Sequence, residues 1–320
     1  MPNWSIEEIP ADVADEARTF NARLEALLAT QPPIQTLPPQ AIRDARRAGQ
    51  GLFPPPVFVA EVKDLAIPAR SGSIRLRVAR PTNRAPAGVY LHLHGGGWML
   101  GAADLQDTAL MRLANAVGVV AASVEYRLSP EHPYPADPDD CEDAAHWLID
   151  QGARALDAPP VFAIGGESAG AHLAAVTLLR LRDRAKAFCA ANLVYGAFDL
   201  SMTPSVRAWG NRYLVLSLPV IEYFTTGFTP GMSSEARRTP DVSPLFGDLR
   251  GMPPALFTVG MLDPLLDDTL FMEARWRIAG GRTELRVWPD AVHGFNGFPI
   301  RLGALADDAQ HEFLARTMRA

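Results

Sequence analysis

Residues 161–182 read VFAIGGESAGAHLAAVTLLRLR, and their reading decides the fold. The run VFAIG has the length and apolarity of a buried strand, and AHLAAVTLLRLR has those of a helix. Between them stands Gly166-Glu167-Ser168-Ala169-Gly170. A serine on a sharp strand-to-helix turn is forced outward, and only small flanking residues let the backbone turn so tightly. The N-terminus of the following helix favours negative charge at the same spot. A bare GxSxG is a weak signal, and its bland reading is a tight turn with a capping serine. Set between a strand and a helix, it reads as an exposed nucleophile.

A second glycine cluster lies upstream. His94-Gly95-Gly96-Gly97-Trp98 follows the strand-like GVYLHL. Successive glycines expose backbone N–H groups suited to cradling a developing oxyanion. A phosphate cradle is the competing use, but the P-loop lysine is missing and no suitable acid follows the next strand.

Around these two turns the chain alternates. Apolar strand-like runs fall at residues 57–67, 74–79, 89–93, 119–124, 161–164, 192–195, 255–259 and 285–288. Helical patterns fall at 104–117, 139–149, 169–184, 265–279 and 304–318. Short buried strands separated by such helices predict a mostly parallel sheet of about eight strands, covered on both faces. Ser71-Gly72 predicts a turn joining the first two strands. Two segments break the rhythm. Residues 1–50 carry helical patterns at 15–30 and 41–48 among proline pairs, and 200–250 is rich in Pro, Ser, Thr and aromatics without a clear strand.

Composition narrows the function classes. The chain has 320 residues, 48% apolar and 21% charged, with a net charge of -6. That supports a large core, and a mildly acidic surface with scattered arginines argues against broad binding to a phosphate backbone. Cys141 and Cys189 make neither a disulfide framework nor a metal-like spacing. MPNWSIEEIP has acids where a signal peptide needs basic and apolar regions, and no run approaches the ~20 apolar residues of a membrane span. The expectation is a cytoplasmic protein without stable membrane association, nucleic-acid partner, metal or organic cofactor.

HGGGW, the run Tyr126-Arg127-Leu128-Ser129-Pro130-Glu131-His132-Pro133-Tyr134-Pro135-Ala136, GESAG, Asp263-Pro264-Leu265 and His293-Gly294-Phe295 occur in that order. Together they resemble the hormone-sensitive-lipase-like family of α/β-hydrolase carboxylesterases, over roughly residues 57–315. Glu167 stands where that family's elbow more usually has Asp. The resemblance implies an α/β-hydrolase fold with a helical cap, a serine esterase activity on small esters, a role for His94 in bracing the glycine loop, and a possible homodimer.

Residue logic completes the site. Chain order in this fold is nucleophile, acid, histidine. Asp263 ends the run ALFTVGML, at the carboxyl edge of the sheet beside the elbow. Its rivals Asp267 and Asp268 lie about one turn into the next helix, where acids favour the dipole. His293 alone among the histidines has the position the triad requires; His92 is inside a strand, His146, His172 and His311 are on helices, and His132 is in the proline-rich loop. The expected roles are Ser168 as nucleophile, His293 as base and Asp263 as orienting acid. Gly95, Gly96, Gly97 and Ala169 form the expected oxyanion hole, with Gly96 and Gly97 favoured over Gly95. Gly166, Glu167 and Gly170 support the elbow.

The competing readings are an amidase or formamidase on the same machinery, and a non-catalytic small-molecule receptor on this fold, which would lack a full triad. The expected organisation is an N-terminal cap segment at 1–50 and a catalytic domain at 51–320 with a cap insertion at about 200–240. Phe20, Leu24, Leu27, Leu28, Trp209, Tyr213, Leu214, Leu218, Tyr223 and Phe224 are candidates to close the cleft. Acyl chains of roughly two to eight carbons are an expectation of the resemblance, each buried CH₂ contributing about 0.8 kcal/mol until the pocket ends.

Overall fold

Strand Val89–Leu93 is buried at every position, the mark of a strand covered on both faces. It lies in the interior of the sheet seen in a computed structural model that describes residues 4–319. In chain order the elements are β1 (Trp4–Ile6), α1 (Ala11–Leu28), α2 (Pro39–Arg47), β2 (Lys63–Ala69), β3 (Gly72–Ala79), β4 (Val89–Leu93), α3 (Asp107–Leu113), β5 (Val120–Glu125), α4 (Ala136–Trp147), α5 (Ala153–Ala155), β6 (Phe162–Glu167), α6 (Ala169–Leu181), β7 (Phe188–Val194), α7 (Pro204–Trp209), α8 (Leu218–Phe228), β8 (Ala255–Leu262), α9 (Leu266–Ile278), β9 (Thr283–Val292) and α10 (Arg301–Thr317).

The sheet runs β1-β9-β8-β7-β6-β4-β5-β3-β2. Only the pairings of β3, with β2 and with β5, are antiparallel. The fold is the α/β hydrolase fold that the motifs imply. The eight predicted strands are present, and the first of them begins at Lys63 because residues 57–62 lie outside any strand. A ninth, Trp4–Ile6, pairs parallel with β9. Among the described residues no helix is long and apolar enough to cross a membrane.

Register places the loops that matter. β4 lies between β5 and β6, so the connections leaving β4 and β6 diverge. Ligands of open α/β sheets bind at such a switch point, beyond the carboxyl ends of the strands. Leu93 pairs with Gly166, so the glycine loop and the elbow leave the edge together. Leu262 pairs with Val292 after a register shift, which sets Asp263 and His293 side by side. Helix α6 is buried along nearly all of its length between other layers, and Leu173, Ala174, Ala175 and Leu178 are fully buried.

The N-terminal stripe is covered in part. Leu24 and Leu28 are buried, Leu27 is exposed, and Phe20 meets Phe298 at 4.9 Å between ring centroids. Phe53 also stacks on Phe298 and lies against Gly294, next to His293. Residues 200–250 contain α7, α8 and short 3-10 turns without a named strand.

Candidate active site

The elbow is tight for a visible reason. Ser168 sits at φ 56°, ψ −118°, a region side chains adopt only under constraint. A Cβ on Gly170 would lie 2.7 Å from the Leu93 carbonyl carbon, and one on Gly166 2.9 Å from the backbone of Gly170. Both positions therefore demand glycine. The Ser168 N–H donates to the Val194 carbonyl at 2.8 Å, fastening the turn to β7.

The three residues drawn together by chain order meet in space. Ser168 Oγ lies 2.9 Å from His293 Nε2, and His293 Nδ1 lies 2.8 Å from Asp263 Oδ2. Asp263 is 2% exposed and His293 5%, so the pair is shielded from water while Ser168 opens toward solvent. The other carboxylate oxygen of Asp263 accepts the Leu265 N–H at 2.8 Å. With Nδ1–H directed at the carboxylate, Nε2 is left to accept the serine proton.

Asp267 and Asp268 stand in the first turn of α9 as expected, but Asp268 does more than meet a helix dipole. It is fully buried, accepts the N–H groups of Phe198 and Asp199 at 2.7 and 2.8 Å, and accepts the Thr203 hydroxyl at 2.7 Å. Burial pushes its carboxyl up to about 7 against those hydrogen bonds. Asp267 accepts the Ser205 N–H. Both hold the start of the 200–250 segment, away from the imidazole.

The glycine loop follows β4. Gly96 and Gly97 have φ of 123° and 59°, and their N–H groups find no acceptor among the described residues. Ala169 opens α6, so its N–H has no intrahelical acceptor. Ala169 follows Ser168 directly, and a Cβ on Gly95, beside Gly96 and Gly97, would lie 3.6 Å from the Ser168 Cβ. His94 is buried; its Nδ1–H donates to the Gly95 carbonyl at 2.9 Å, and its ring stacks on Tyr126 at 4.1 Å. The Tyr126 hydroxyl donates to the His94 carbonyl at 2.6 Å. Burial holds the His94 pKa below its ordinary value.

Several contributors carry no motif. Tyr195, at the carboxyl end of β7, packs its ring 4.7 Å from the His293 ring. Its hydroxyl donates to Asn296, and Asn296 donates to Asp307, whose burial raises it to about 6. Trp98 donates from Nε1 to His172 at 3.0 Å and stacks on Phe228. His172, lowered to about 4 by burial, donates from Nε2 to the Val242 carbonyl. Arg43 on α2 donates to the carbonyls of Met99 at 2.8 Å and Ser129 at 2.7 Å, and pairs with Glu131. The position of Tyr195 at a strand's carboxyl end was a usable signal; Trp98–His172 and Arg43 had none.

Glu167, at the elbow's second position, has a partner on the neighbouring strand β4. Its carboxylate receives His92 Nε2 at 3.0 and 3.1 Å.

A family described as an alpha/beta hydrolase fold matches residues 90–297. The carboxylic ester hydrolase LipN of Mycobacterium tuberculosis is 33% identical over 275 residues, 83% of this chain and 73% of the relative. The ethyl acetate hydrolase of Pseudomonas putida is 32% identical over 258 residues, 78% of either chain. Among solved structures, an esterase of Pyrobaculum calidifontis superposes with a TM-score of 0.83 at 29% identity, covering 94% of this chain and 99% of that one.

Proposed function

Because the chain belongs to the hormone-sensitive-lipase-like family of the α/β hydrolase fold, we propose that it is a serine carboxylesterase acting on short- to medium-chain esters through an acyl-enzyme. The observation that carries this reading is the continuous chain from Ser168 Oγ through His293 to Asp263, beside the free N–H groups of the glycine loop and Ala169.

His293 Nε2 takes the Ser168 proton as Oγ bonds to the ester carbonyl carbon. Asp263 holds the imidazole and stabilises its charged form. The N–H groups of Gly96, Gly97 and Ala169 receive the oxyanion. The C–O bond to the alcohol then breaks, and the alcohol leaves with the proton from Nε2. Water, deprotonated by His293, attacks the acyl-enzyme and releases the acid and Ser168.

Residues 1–50 and about 200–240 act in this reading as the cap over a catalytic domain at 51–320. The relative from Pseudomonas putida acts, by its name, on ethyl acetate, which supports a small ester as substrate. Two free cysteines suit a reducing, cytoplasmic setting. A rate series on p-nitrophenyl esters from acetate to palmitate, with an anilide and the Ser168→Ala variant, tests the whole reading. The expected result is a maximum among short acyl chains, a slower anilide, and a loss of at least about 10⁴-fold in Ser168→Ala. Turnover that survives Ser168→Ala removes the nucleophile assignment, and a preference for the anilide makes the protein an amidase.

A further inference from the structure

The elbow is tied to the strand that launches the glycine loop by a second chain of polar groups. His92 on β4 sets Nε2 against both carboxylate oxygens of Glu167, and Nδ1 lies 2.8 Å from Ser123 Oγ on β5. His92 and Ser123 are register partners on adjacent strands, so their side chains share one face of the sheet. The residue types are those of a hydrolytic triad, yet Ser123 is wholly buried in mid-strand, and no substrate reaches it. This chain is not a second catalytic site.

Its position suggests a different task. Glu167 immediately precedes Ser168, and its carbonyl oxygen lies 2.9 Å from where a Cβ on Gly95 would be. Its charge reaches the groups surrounding the site: it contributes to raising Tyr195 and Asp307, and it opposes the burial effect on His94. A carboxylate on the residue before the nucleophile, whose charge is felt by His94 at the head of the glycine loop, opposes negative charge developing beside it, and in a shielded site that opposition is larger than in water. The side chain of His92 is 5% exposed, and that of Glu167 is 26%, so water answers the carboxylate only in part.

We propose that His92 is a positioning residue for the reaction: oriented by Ser123, its Nε2–H holds the Glu167 carboxylate, ties the elbow to the strand that launches the glycine loop, and screens the carboxylate's opposition to the oxyanion. This rests on the esterase reading above. It assigns Glu167 a cost that His92 offsets, so the two residues must be judged together rather than singly.

The test is a double-variant cycle in the full chain on a p-nitrophenyl butyrate assay, with thermal midpoints measured in parallel. His92→Phe keeps a ring and removes the donor; kcat should fall about 10- to 100-fold with KM changed less than about 3-fold. His92→Gln, which still presents an N–H, should retain more of kcat than His92→Phe. Adding Glu167→Gln to His92→Phe should recover kcat, because the uncompensated charge is gone. A brace that acted by packing alone would make the double variant slower still and would track the thermal midpoint. A double variant no faster than His92→Phe, or a folded His92→Phe at the wild-type rate, overturns the proposal. His92→Asn, too short to reach the carboxylate, gives the same comparison should the Phe ring prevent folding. Ser168→Ala in the same assay separates the two readings: its activity tests the esterase assignment, whereas the cycle tests only the pair.

Discussion

Phe224 of α8 occupies the space a side chain on Gly97 would need: an ideal Cβ at Gly97 would lie 2.6 Å and 2.7 Å from the ring's Cδ1 and Cδ2. The helix therefore rests directly on the loop that holds the free N–H donors. Phe224 is buried, so the ring cannot swing away into solvent without opening the site.

Gly97→Ala follows from that contact. The variant must adopt φ near 59° and displace the ring as well. Its kcat should fall about 10²- to 10³-fold, the cost of misplacing one oxyanion donor. Combining it with Phe224→Ala should recover part of that loss by relieving the contact but not the backbone strain. A Gly97→Ala enzyme with wild-type kcat would show that this N–H does not serve the reaction.

Asp263→Asn and Asp268→Ala should fail in different ways. The amide at 263 no longer supports the required imidazole tautomer, so kcat should drop about 10³- to 10⁴-fold in a folded protein. Asp268→Ala leaves a buried and a part-buried N–H group and a buried hydroxyl without their partner, costing about 2–4 kcal/mol of stability. Steady-state rates beside denaturation curves distinguish them, and a catalytic collapse in Asp268→Ala at full stability would reverse the assignment.

The pH dependence of stability has a definite sign. Both carboxylate oxygens of Asp137 are buried without a hydrogen-bond partner, and burial raises its pKa well above 3.8. The folded chain thus keeps a proton that the unfolded chain releases above about pH 4, so stability is lost as pH rises. Asp268 acts in the same direction between 3.8 and about 7. Asp137→Ala should raise the thermal midpoint, by about 1–3 kcal/mol of relieved desolvation at pH 8, and by less at pH 5. Thermal scans at the two pH values check this, and an equal or larger gain at pH 5 would contradict it.

Arg43→Ala should uncouple α2 from the site. Its guanidinium holds the carbonyls of Met99 and Ser129, one at the end of the glycine loop and one in the loop after β5. Losing both should lower kcat/KM about tenfold, equivalent to about 1.4 kcal/mol, and flatten the acyl-chain profile. Glu131→Gln, at the exposed end of the pair, should cost less than about 1 kcal/mol. An unchanged chain-length profile in Arg43→Ala would separate residues 1–50 from substrate selection.

Read in order along the chain, the sequence determined the fold and singled out Ser168, Asp263 and His293, because each of its signals is local. A buried strand, a glycine turn and a helix declare themselves within a dozen residues, and the order of the motifs fixed which strands carried chemistry. Trp4–Ile6 left no such trace, since three residues are too few for alternation to register. The tertiary structure alone decided what those local signals meet. The pairing of Leu262 with Val292 set the acid beside the histidine. Adjacent strands brought Ser123 and His92 to Glu167, giving the elbow's acid a partner that no motif names. Phe20 and Leu24 offered an apolar stripe, and the structure sets Phe20 against Phe298 and buries Leu24. Periodicity says that a face is apolar, but which surface covers it depends on contacts between residues hundreds of positions apart, and burial free energy is indifferent to which apolar partner supplies it.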